Sequence, residues 1–79
     1  MELRHRVLIA RREKGFSQED LARNVGVSVN TIARFERGEI GDIKAQVLAK
    51  IARALDVTTD WLLGLTSGDA EDEEALAHA

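Results

Sequence analysis

Four residues downstream of Gly26 carry chemistry suited to recognition: Val29, Asn30, Thr31 and Arg34. Asn30 and Arg34 stand four apart, so on a helix they share one face. A carboxamide can pair with N6 and N7 of adenine, and a guanidinium with O6 and N7 of guanine. Val29 can offer a methyl contact to thymine. Each good bidentate pair discriminates against a wrong base by about 1–3 kcal/mol. Bond-making chemistry has no comparable support. Cysteine is absent and the only histidines are His5 and His78. No Ser-His-Asp layout, metal-ligand spacing or glycine-rich phosphate loop is seen. A chain of 79 residues with a small core also has little room for a substrate pocket. No catalytic residue, metal or cofactor is expected, and an enzyme is excluded.

A side chain that is to enter a groove needs a helix held at a fixed angle. The stretch from Ser17 to Gly38, SQEDLARNVGVSVNTIARFERG, supplies one. Ser17 suits an N-cap whose hydroxyl accepts from the Asp20 backbone N–H, and Glu19 and Asp20 suit a first helical turn. The spacing predicts a helix to Asn24, a sharp turn at Gly26, and a second helix capped by Ser28 that runs to Arg37 and stops at Gly38. Two short helices joined by a tight turn form a layout able to place the second helix in the DNA major groove. Leu21, Ala22, Gly26, Ile32 and Phe35 have packing and turn roles. They hold the pair together and recognise nothing themselves.

The rest of the chain predicts an all-α bundle. Leu3, Val7, Leu8 and Ala10 mark an apolar stripe on a first helix over residues 2–14, with Arg4, Arg6, Arg12 and Glu13 mostly outside it. Val47, Leu48, Ile51, Ala52 and Leu55 recur at amphipathic spacing on a fourth helix over residues 43–55. A short fifth helix, capped by Thr58 or Thr59, carries Trp61, Leu62 and Leu65. Apolar residues make up 44% of the chain, with three aromatics and no proline, so the core is aliphatic. No apolar run reaches the roughly 20 residues a membrane span needs, and a cytoplasmic protein is expected. The net charge is −3, but it is unevenly distributed. Residues 1–68 hold 11 Lys and Arg against 9 Asp and Glu, a balance of +2. Residues 69–79, DAEDEEALAHA, hold five acidic residues and no Lys or Arg. The expected organisation is a DNA-binding domain over 1–68 and an acidic, disordered tail over 69–79.

These residues resemble the lambda-repressor/Cro-like family, also called the xenobiotic-response-element family. Gln18, Leu21, Ala22, Gly26, Val27, Ser28, Ile32 and Glu36-Arg37-Gly38 carry the resemblance, which Leu48, Ile51, Ala52, Leu55, Val57 and Trp61-Leu62-Leu63-Gly64 extend over roughly residues 3–65. It implies a five-helix domain with its helix-turn-helix at helices 2 and 3. It also implies base contacts from Val29, Asn30 and Arg34. Gln18 would contact phosphate, with Arg23, Ser28, Thr31 and Arg37 as further phosphate candidates. An arginine late in helix 1 pairs in the family with a glutamate at the end of helix 3, here Arg11 and Glu36. The loop after helix 3 departs from the pattern. It holds Glu39 and Asp42 and no proline, so the usual backbone contacts there are not expected.

The function implied is a sequence-specific transcriptional regulator, a repressor, acting as a homodimer on a palindromic operator in double-stranded DNA. Two-fold pairing doubles the contacts of a small domain. Trp61, Leu62 and Leu65 are the expected dimer surface. An antitoxin-type module that neutralises a protein partner is the alternative. The tail argues against it, since Leu76 is its only large apolar residue.

Overall fold

Side-chain oxygens start three of the five helices in the computed structural model, which describes residues 2–65. Helix α1 spans Leu3–Lys14, α2 Gln18–Val25, α3 Val29–Glu36, α4 Ala45–Leu55 and α5 Thr59–Leu62. Among the described residues there is no strand. Ser17, Ser28 and Thr58 sit in extended backbone and accept hydrogen bonds from the N–H groups of Asp20, Thr31 and Trp61. At Ser17 the cap is reciprocal, because the Ser17 N–H donates to Asp20 Oδ2 at 2.9 Å. That backbone bond, the Ser17 hydroxyl and the nearby Arg23 charge hold the Asp20 carboxyl below its ordinary range.

Two helix ends differ by one residue from expectation. α2 includes Val25, and α3 ends at Glu36 with Arg37 as its cap. The fourth helix begins two residues later than expected, at Ala45. Lys44 occupies its N-cap position and offers no acceptor to the orphan N–H groups. Ile43, outside the helix, is half-buried and packs on the core.

Leu21, Ile32, Ile51, Leu62 and Val7 are fully buried and come from all five helices. Each contributes about 1.5–3 kcal/mol by leaving water. Ala10, Ala22, Val25, Phe35, Ala52 and Leu55 complete the buried apolar set. α2 packs against both α3 and α4, while α1 touches α3, α4 and α5. The small Ala22 lies where α2 meets its neighbours, and Gly26 turns the chain at φ +83°. The orientation of α3 is thus set by the interior of the protein and leaves its other face open. The acidic segment 69–79 and the expected boundary at residue 68 lie outside the described residues.

Candidate nucleic-acid interface

The open face of α3 carries Val29, Asn30 and Arg34, all exposed, while Ile32 and Phe35 point inward. Val29 is 41% exposed. Ser28 and Thr31 are engaged with each other, since Ser28 Oγ lies 2.8 Å from Thr31 Oγ1 and also accepts from the Thr31 N–H. Their hydroxyls stand at the N-terminal end of α3, where the backbone dipole favours an anion.

Below this surface Arg11 and Glu36 form a buried, two-pronged ion pair. Arg11 Nε donates to Glu36 Oε2 at 2.7 Å and Arg11 Nη2 to Glu36 Oε1 at 2.9 Å. The side chains are only 9% and 4% exposed, so water cannot replace either partner. Arg11 Nη1 also donates to the Phe16 carbonyl. Gln18 joins the same group, its Nε2 donating to Glu36 Oε1 at 3.0 Å. One ion pair therefore ties α1 to the end of α3 and orients a carboxamide at the first residue of α2. The second Nε2 hydrogen of Gln18 is not used by Glu36.

A second arginine, Arg4, was expected outside the apolar stripe. It is half-buried, and its Nη1 donates to the Glu36 carbonyl at 3.0 Å, satisfying a group at the C-terminal end of α3. Arg6 is half-buried too, its guanidinium stacked 4.8 Å from the centre of the Trp61 ring.

The end of α3 holds two more arginines. Arg37 Nε donates to Glu39 Oε2 at 2.7 Å, and Arg34 Nε lies 3.5 Å from Glu39 Oε1. The bond from Arg37, with the charges of Arg37 and Arg34, lowers the Glu39 carboxyl below its ordinary range. The bond to Glu39 in turn raises Arg37. Arg23 is elsewhere. It pairs loosely with Asp20 at 3.5 Å and borders an open groove with Lys50 and Arg53, between the C-terminal ends of α2 and α4. Among the described residues no group of three His, Asp or Glu side chains could hold a metal.

The expected partner surface needs one correction. Leu62 is fully buried in its own chain's core and cannot face a partner. Leu65 lies beyond the end of α5 at Leu62, so the helix does not align it with Trp61. Leu63 and Leu65 are 48% and 71% exposed instead, beside the half-buried Trp61.

A helix-turn-helix family model matches residues 7–62, which cover α2, α3 and most of their supports. The chain belongs to this helix-turn-helix family, in its Cro/C1-type, lambda-repressor-like branch. A curated relative, the HTH-type transcriptional regulator ImmR of Bacillus subtilis, is 29% identical over 76 residues. That alignment covers 96% of this chain but 59% of ImmR, so the chain spans about three fifths of the relative's length. The structure of SinR of Bacillus subtilis in complex with DNA matches with a TM-score of 0.73 and 32% identity, over 76% of this chain and 95% of that one. The P22 c2 repressor bound to a synthetic operator matches with a TM-score of 0.74 and 28% identity, over 81% and 96%. The helix-turn-helix family is thus one of DNA-binding transcription regulators, and its fold accounts for all five helices here.

Proposed function

We propose that this helix-turn-helix protein is a sequence-specific transcriptional repressor that binds a palindromic operator as a homodimer in the cytoplasm. The observation that carries the proposal is the exposed row Val29, Asn30 and Arg34 on a helix whose opposite face is locked into the core. Asn30 recognises adenine, Arg34 guanine, and Val29 the thymine methyl. Gln18, oriented by Glu36, contacts phosphate and sets the register. Ser28 and Thr31 add phosphate contacts at the start of α3, while Arg37 at its end is engaged by Glu39. Arg23 is the most remote of these candidates and contributes general attraction. The DNA and operator complexes of SinR and the P22 c2 repressor support this docking. The second subunit packs against the exposed Leu63 and Leu65 and the half-buried Trp61.

The test compares two substitutions on duplexes that differ by single base pairs. Arg34→Ala should relax preference at one base pair, by about 1–3 kcal/mol. Gln18→Ala should weaken all sequences alike. The reverse pattern would exchange the two roles and overturn the assignment.

A further inference from the structure

Glu39 stands where an acidic residue should harm DNA binding, yet the fold fixes it firmly. Gly38 takes a left-handed backbone at φ +82° and its N–H donates to the Phe35 carbonyl at 3.0 Å. The Glu39 N–H then donates to the Arg34 carbonyl at 2.9 Å. These two bonds make a Schellman turn, whose geometry brings together the side chains of residues 34 and 39. An apolar pair commonly fills that contact, but here it is an ion pair. Arg4 supports the turn from outside, since its Nε lies 3.0 Å from where a Cβ on Gly38 would sit.

The carboxylate occupies different parts of the two guanidinium groups. On Arg34 it faces Nε, leaving the terminal Nη1 and Nη2 fork available end-on. On Arg37 it takes both Nε, at 2.7 Å, and Nη2, at 3.4 Å. Exposed ion pairs are worth too little to decide the fold. Such a pair favours one side-chain orientation by about 1.4- to fivefold. We propose that Glu39 is a positioning residue for specificity, holding Arg34 end-on towards its base pair while neutralising Arg37 against indiscriminate phosphate binding. This inference rests on Arg34 contacting a base.

The experiment measures Glu39→Gln, Arg34→Ala and the unaltered protein on the preferred duplex, on duplexes substituted at single base pairs, and on an unrelated duplex over a range of salt. Glu39→Gln should bind the unrelated duplex more tightly, with a steeper salt dependence, because Arg37 is released. Discrimination at the base pair relaxed by Arg34→Ala should fall by about 1.4- to fivefold, and discrimination at other positions should hold. If Glu39→Gln strengthens all duplexes equally and discrimination is unchanged, Glu39 merely repels phosphate and the proposal is wrong. If Arg34→Ala alters preference at no base pair, the assignment of Arg34 fails and the role of Glu39 falls with it. Circular dichroism of both variants verifies that these exposed substitutions leave the fold intact.

Discussion

Glu36 is the residue on which the fold and the interface most depend together. It receives Arg11 and Gln18 through its carboxylate and Arg4 through its carbonyl. Glu36→Gln leaves Arg11 buried without its counter-charge, so we expect a loss of about 3–5 kcal/mol. A domain of this size should then melt more than about 10 °C lower. An unchanged melting temperature would mean that the pair is dispensable. At this scale the sequence was informative wherever a residue's role is local or carried by the family pattern. The exposure of Val29, Asn30 and Arg34, the caps and the Arg11–Glu36 pairing all fall in that class. Arg4 was not legible, because its partner is a backbone carbonyl 32 residues away and no side-chain pattern advertises a carbonyl. Glu39 was legible only as a charge. Its pairing depends on the turn at Gly38, and the signal available was the glycine with residues placed one after and four before it.

At the scale of the elements, two short helices of eight residues each depend on their ends. Asp20 closes the reciprocal cap of α2, and its carboxyl titrates below the ordinary value when folded. A depressed folded pKa adds stability above the unfolded value, which is lost as pH falls through the folded one. Asp20→Asn should therefore lower stability at neutral pH and flatten the decline in acid, as followed by thermal melts across pH 2–7. Parallel declines for the two proteins would show that the cap carboxylate has no such role. Gly38→Ala tests the other end of α3. A Cβ at a positive φ, pressed against Arg4, should cost about 1–2 kcal/mol in a denaturant titration. No loss would mean that the turn relaxes without strain. Helix order and the turn at Gly26 were legible from caps and periodicity. The start of α4 was not, because no Ser, Thr, Asn or Asp stands at its N-cap and periodicity alone does not place an uncapped end. The inward face of Leu62 was also hidden, since one helical turn is too short for its period to show.

For the whole molecule the balance is between modest attraction and a small recognition surface. Residues 1–68 carry a net +2, and two of their arginines are engaged by Glu39. Exposed charges beyond about 8 Å are screened at physiological salt, so the local arrangement at α3 matters more than the total of −3. One such surface would specify few base pairs, and the proposed two-fold pair would double it, with half-sites about 34 Å apart, one helical turn, or a multiple of that. Selection of bound duplexes from a random pool tests this account most directly. It predicts enrichment of a motif with two inverted half-sites separated by whole helical turns. Recovery of the pool without enrichment above non-specific binding would contradict it.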